Sequence, residues 1–231
     1  MTDALYETDI GDYRITTVIN SQYRQNGYIL LERRSGRALV IDPGGRSDDI
    51  VALVENAGAI VDAILLTHGH FDHLGAAHAL AERWGIICKV HHRDRKLIRQ
   101  APLYALRLIR KVVQVPKRLD FFDDVDALEW SGGAVSIVRT PGHTQGSVCY
   151  VLPGMVFTGD VLLREYIGPT SYPGSDRDQL VASINLLLAQ DLPGETVIFA
   201  GHGRPWTMQE ARAWWARLEG PPPPYAIDKM G

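Results

Sequence analysis

Apolar and polar positions along this chain fall into short blocks that switch between the two-residue period of strands and the 3.6-residue period of helices. Tyr13 to Ile19 and Asn26 to Glu32 read as an opening meander, and Arg37 to Asp42 as a strand closed by the turn Asp42-Pro43-Gly44-Gly45. Ser47 to Ala57 sets Ile50, Val51, Leu53 and Val54 against Asp48, Asp49 and Glu55, which predicts a helix stopped by Gly58. Strand 60–66, helix 74–84, strand 86–90 and a helical region from about 94 to 115 follow. Strands 134–139, 147–152 and 155–158, helix 177–189, strand 196–200 and helix 207–218 complete the pattern. Strands alternating with helices in this way predict an α/β fold. The run Gly220-Pro221-Pro222-Pro223-Pro224-Tyr225 cannot continue a helix and reads as an extended appendage. The expected division is one domain over residues 1–220 and a proline-rich tail over 221–231, with no short-period repeat.

Composition adds little that is special. The 231 residues are 45% hydrophobic and 22% charged, with a formal net charge of −3. That balance offers no global case for nucleic acid, and no apolar run reaches the length of a membrane span. The first residues lack the basic start and apolar stretch of a secretory signal. Cys88 and Cys149 each sit in an apolar strand-like stretch and read as free buried thiols of a reducing compartment, which places the chain in the cytoplasm.

One cluster changes the picture. Thr67-His68-Gly69-His70-Phe71-Asp72-His73 directly follows the apolar strand ending at Leu66. Neutral imidazole and carboxylate are the ligands that zinc and its first-row neighbours accept. Three more candidates also follow strands: His143 in Thr140-Pro141-Gly142-His143-Thr144, Asp160 in Thr158-Gly159-Asp160, and His202 in Gly201-His202-Gly203. Open sheets bind their ligands just outside the carboxyl ends of strands. Five His and two Asp exceed the roughly four ligands of one zinc and suit two divalent ions. Zn2+ is the expected metal, with Fe or Mn compatible with the same donors. Asp42 reads equally well as an acceptor that orients a ligand ring or as a turn former before Pro43.

These motifs, in this order, resemble the metallo-β-lactamase superfamily of hydrolases, from about Tyr13 to Glu210. The resemblance implies a four-layer αββα sandwich of two mixed sheets with helices outside. It implies that His68, His70 and His143 hold one metal, that Asp72, His73 and His202 hold the other, and that Asp160 bridges them. Asp72 and Asp160 then carry the catalytic roles, fixing the ions and accepting hydrogen bonds from a metal-activated water. The glyoxalase II-like branch, which hydrolyses hydroxyacylglutathione, looks closest, so a small-molecule thioester or related ester is the expected substrate. Smaller members of that branch often carry Gly-Arg-Thr-Asp after the bridging Asp, where this chain has Gly168-Pro169-Thr170-Ser171. Two other activities share the motifs: a persulfide dioxygenase with one iron on His68, His70 and Asp160, and a phosphodiesterase or nuclease.

Substrate contacts are harder to read. Arg164, Tyr166 and Tyr172 follow Asp160 and are candidates. The segment Arg93 to Arg118 carries nine Lys or Arg residues against Asp94 alone. Leu103, Leu106, Ile109 and Val113 would line one helical face there, and Arg107 and Arg110 could meet an anionic substrate. No membrane or nucleic-acid partner is expected, and a homodimer is compatible with everything above.

Overall fold

A computed structural model of the chain describes residues 5–20 and 23–225. Four strands open it: β1 (Leu5–Ile10), β2 (Tyr13–Asn20), β3 (Gln25–Glu32) and β4 (Arg37–Ile41). Helix α1 (Ser47–Asn56), β5 (Ile60–Leu65), α2 (Phe71–Leu74), α3 (Ala77–Trp84) and β6 (Ile87–His91) follow. Then come α4 (Arg95–Ile109), β7 (Leu119–Phe122), β8 (Ala127–Trp130) and β9 (Gly133–Arg139). Strands β10 (Val148–Leu152), β11 (Met155–Gly159), β12 (Leu162–Leu163) and β13 (Tyr166–Ile167) lead to α5 (Arg177–Leu188). Strands β14 (Val197–Ala200) and β15 (Trp206–Thr207) and helix α6 (Met208–Ala216) close the fold.

Strands β1 to β7 form one sheet in sequence order, antiparallel through β4 and parallel from β4 to β7. The second sheet runs β15-β14-β11-β10-β9-β8, with only β11 and β14 parallel. Both central regions are buried on two faces, and strand periodicity sorts their side chains into separate layers. Leu39 and Ile41 of β4 point between the sheets, where they meet Tyr150 and Phe157. Ala38 and Val40 point outward onto α1, α3 and α4. On the other side, Cys149 and Val156 pack under α5 and α6 with Leu180, Ile184 and Met208. Three apolar layers among four structural layers make the αββα sandwich. Cys88 and Cys149 are buried free thiols.

The strand pattern missed β1, β7 and β8 because these strands lie at sheet edges and are mostly exposed or half-buried, so no clean alternation marks them. The expected helix 94–115 stops at Ile109. Arg110 takes a left-handed conformation (φ 54°) that breaks the helical ladder. Its buried face is Ile98, Ala101 and Ala105, while Leu103 and Leu106 are 65% and 55% exposed. Small residues let α4 settle closely on α2, which turns Leu103 and Leu106 of the expected face outward, while Ile109 and Val113 of that face do pack against the core. The tail also departs from expectation. Residues 221–225 dock on β13 and α5 rather than standing apart, and the tail beyond them lies outside the described residues.

Phe157 is fully buried between Tyr28 and Phe199, with ring centroids 5.2 and 5.3 Å away. Phe157→Ala should lower the free energy of unfolding by about 3–5 kcal/mol, read as a shift of the urea midpoint. A shift under about 1 kcal/mol would mean that this layer does not hold the sheets together.

Candidate metal centre

All seven predicted residues meet at one edge of the sandwich. His68 follows β5, His143 follows β9, Asp160 follows β11 and His202 follows β14. His70 is the N-cap of α2, and Asp72 and His73 lie within that helical turn, so two ligands come from a helix where a loop was expected. The edge is set by bonds between the sheets. Val148 N donates to Thr67 O (2.9 Å), Tyr150 Oη to Leu66 O (2.8 Å) and Tyr28 Oη to Ala200 O (2.5 Å). Asn26 fixes the His202 turn, its N donating to Gly201 O (2.7 Å) and its Nδ2 to Gly203 O (2.8 Å). Glycine is required at two of these turns. Gly159 has φ 50°, and a Cβ on Gly201 would strike Asp160 Oδ1 and the His73 ring.

The ring tautomers follow from the hydrogen bonds. His143 Nδ1 faces Pro169 O at 2.8 Å, and His202 Nδ1 faces Tyr23 O at 3.0 Å. A carbonyl only accepts, so both rings carry a proton on Nδ1 and turn Nε2 inward as the atom open to an ion. Asp42 does the same for two more rings. It accepts from Thr67 N (2.7 Å), Thr67 Oγ1 (2.6 Å) and His73 Nδ1 (3.0 Å). With the Thr67 hydroxyl proton spent on Asp42, Thr67 Oγ1 accepts from His68 Nδ1 at 3.0 Å. Asp42 is thus the orienting acceptor, with three hydrogen bonds already made to its carboxylate.

Among the described residues, three groups of donors lie close enough together to hold an ion; in the group of Asp42, His68 and His73 the carboxylate is engaged by the hydrogen bonds above, which leaves His68, His70 and His143, and Asp72, His73 and His202. His70 Nδ1 lies 3.0 Å from His68 Nε2 and 2.9 Å from His143 Nε2. Asp160 stands between the groups, with Oδ1 3.4 Å from His73 Nε2 and Oδ2 3.6 Å from both His143 Nε2 and His202 Nε2. His202 Nε2 is also 3.6 Å from Asp72 Oδ2. Such gaps are too long for hydrogen bonds. They match the spacing of roughly 3.3 Å between ligands that each sit ~2.0–2.1 Å from one tetrahedral ion. Asp160 Oδ1, His73 Nε2 and His202 Nε2 are buried without a hydrogen-bond partner, a costly state that a cation relieves. The residues therefore fit two divalent ions.

Electrostatics differ between the groups. Burial, reinforced by the neighbouring imidazoles, holds His68 well below the ordinary histidine range and takes His70 down to about 3. Burial would depress His202 too, but Asp160 and Asp72 reverse this and raise it to about 9. Asp160, Asp42 and Asp72 overcome burial in the same way to raise His73. Burial opposes ionisation of Asp160, yet His202 and His73 hold it well below the carboxylate range.

The other candidates divide. Tyr172 faces the site, its ring 5.5 Å from that of His70. Tyr166 is partly exposed and packs against Tyr225. Arg164 does not line the cleft; its guanidinium bonds Pro205 O (3.1 Å) and Glu210 (3.4 Å) instead. Arg107 and Arg110 are exposed and also lie off the cleft, because α4 turns Leu97, Tyr104 and Leu108 toward it. Sequence reasoning passed over Asp94, noted only as the lone acid of a basic stretch. Its buried carboxylate accepts from Gly69 N, Thr144 Oγ1 and Gly146 N, each at 2.8 Å, and ties the His68–His70 loop to the His143 loop.

Comparison with known proteins agrees with this geometry. The family model of the metallo-beta-lactamase superfamily matches residues 23–202. The hydroxyacylglutathione hydrolase GloC of Haemophilus influenzae is 32% identical over 197 residues, covering 83% of this chain and 92% of that protein. Among solved structures, the BLEG-1 B3 metallo-beta-lactamase is 31% identical with a TM-score of 0.78, covering 85% of this chain and 95% of its own. TTHA1623, solved in a di-iron-bound form, is 33% identical with a TM-score of 0.75, covering 87% and 96%. The chain belongs to the metallo-beta-lactamase superfamily of metal-binding hydrolases.

Protons and an ion compete for the same lone pairs. Because the carboxylates raise His202 to about 9, ion uptake by the Asp72, His73, His202 group should release protons, and affinity should rise with pH until about 9. Calorimetric titration in buffers of different ionisation enthalpy reads the proton count. Uptake of both ions at neutral pH with no proton release would contradict the assigned charge states.

Proposed function

We propose that the chain is a dinuclear metal-dependent hydrolase of thioesters. The observation that carries this reading is the convergence of five ring nitrogens and two carboxylates, four of the rings held by partners on their far side. His68, His70 and His143 would hold one ion, Asp72, His73 and His202 the other, with Asp160 shared. Bound there, such ions, most simply Zn2+, supply a water ionised near neutral pH and a Lewis acid for the carbonyl. The chain's own groups do the rest. Asp72 and Asp160 sit at the cleft floor and accept hydrogen bonds from the attacking water, orienting it. No serine or cysteine nucleophile is required.

The lining of the cleft suggests how a thioester lies. Phe71, Leu97, Tyr104, Leu108 and Tyr172 give the wall beside His70, Asp72 and Asp160 an apolar character suited to an acyl group. A contiguous arm shares His70 and His143 but is lined by Arg93, Lys96, Gln100 and Gln145. Arg93 is engaged by Asp124 at 3.7 Å, so exposed Lys96 is the better candidate to meet an anionic thiol carrier. This arm takes the role first expected of Arg107 and Arg110. The likeness to a hydroxyacylglutathione hydrolase supports the same assignment.

Purified protein should contain two equivalents of metal and hydrolyse members of a panel of glutathione and coenzyme A thioesters. His70→Ala should lose metal and at least about a hundredfold in kcat/KM, more than the loss of an outer-shell partner costs. Oxygen consumption with a persulfide, in place of thioester turnover, would overturn the hydrolase reading. Lys96→Glu should raise KM about tenfold for an anionic carrier relative to its N-acetylcysteamine analogue. Arg99→Glu makes the same charge change on the outward face of α4 and should not move that ratio.

A further inference from the structure

We infer that the proline-rich C-terminal segment is a strap that braces His202, with Tyr225 as the positioning residue for the second ion. The inference rests on the two-ion reading above. Four consecutive prolines offer carbonyls but no N–H groups. Tyr225 is the first residue after them with a donor. The docking uses what this sequence can supply. Ile167 N donates to Pro223 O at 3.0 Å, and Tyr225 N donates to Ile167 O at 2.7 Å. Pro224 sits opposite Ile167, where parallel pairing asks nothing of its nitrogen. Arg177, the first residue of α5, donates to Pro222 O at 2.6 Å, and the Pro222 ring is buried.

The strap thus adds a single parallel bridge to the β12–β13 hairpin, which begins two residues after Asp160. It delivers the Tyr225 ring to within 5.1 Å of the His202 ring, with the planes 32° apart, and to 5.9 Å from Tyr166. His202 is otherwise held through Nδ1 to Tyr23 O and by the edge-on His73 ring 5.7 Å away. A hydrogen bond and an edge contact still let the ring rock; the tilted Tyr225 ring beside it restricts that motion. Tyr225 is not among the residues that line the cleft beside His70, Asp72 and Asp160; its ring meets His202 and Tyr166 instead. Its effect on the reaction passes through His202.

Tyr225→Ala, Tyr225→Phe and a chain ending at Gly220 test this. Each is loaded with Zn2+, dialysed against graded chelator, and its bound metal counted by elemental analysis, a readout independent of turnover. Tyr225→Ala and the shortened chain should hold the second ion about tenfold more weakly and the first ion as tightly as the wild type. Tyr225→Phe keeps the ring and should hold both. If the shortened chain does not fold, the two point variants decide. Retention of both ions at wild-type strength by Tyr225→Ala overturns the inference. So does loss of the second ion from Tyr225→Phe, because the hydroxyl rather than the ring face would then be responsible. A wild type saturating at one ion overturns the two-ion reading and the strap with it, whereas two ions in the wild type and an indifferent Tyr225→Ala overturn the strap alone.

Discussion

The buried Asp42 carboxylate is the contact on which the order of the site depends. Its oxygens take the Thr67 amide, the Thr67 hydroxyl and the His73 ring, and the hydroxyl passes the constraint on to His68. One acid therefore fixes a ring in each donor group. Asp42 achieves this from a left-handed backbone (φ 48°), a conformation that costs a non-glycine residue on the order of 1 kcal/mol. Its main chain is pinned there, with N donating to Leu65 O at 3.0 Å and O accepting from Gln25 Nε2 at 2.9 Å. Charge-assisted hydrogen bonds of ~1.5–3 kcal/mol each offset the strain.

The two sheets need each other for the same reason. One sheet supplies His68 and, through α2, His70, Asp72 and His73; the other supplies His143, Asp160 and His202. Neither donor group is whole on a single sheet. Hydrogen bonds from Val148, Tyr150 and Tyr28 across the gap hold the register of the two edges. Packing between the sheets and coordination at their edge are in this sense one structural requirement.

The donor residues were legible in the sequence because chemistry marks them: imidazoles and carboxylates are rarely placed at the ends of apolar strands without a task. The central strands were legible because burial on both faces leaves near-continuous apolar runs, as in Leu39-Val40-Ile41. What escaped depended on partners. Edge strands such as β1 are defined by the neighbour they bond, not by their own pattern. The α4 face could not be assigned because Ala101 and Ala105 carry no strong apolar signal yet fit where a larger residue would not. The contacts of Asp94 and of the tail were not legible for one reason: each lies far away in sequence, with Gly146 for one and Ile167 for the other.

The two donor groups are not electrostatically equivalent, and this would give two bound ions different tasks. In the first group, burial and mutual repulsion hold the imidazoles neutral near pH 7, with one proton at most, on His70 Nδ1, to share between two facing lone pairs. A cation there would displace no net proton, because the neutral His70 ring can carry its proton on Nε2 instead. In the second group, Asp72, Asp160 and Asp42 hold protons on His73 and His202, so an ion must displace them. The first ion should then be the structural anchor and the second the exchangeable, pH-sensitive one. Were two dications bound, the three carboxylates Asp42, Asp72 and Asp160 would leave one positive charge, which would favour an anionic nucleophile or leaving group at the site. The side of the site that binds its ion against competition is the side that Tyr225 covers, which is where a brace on a ligand ring has the most to contribute.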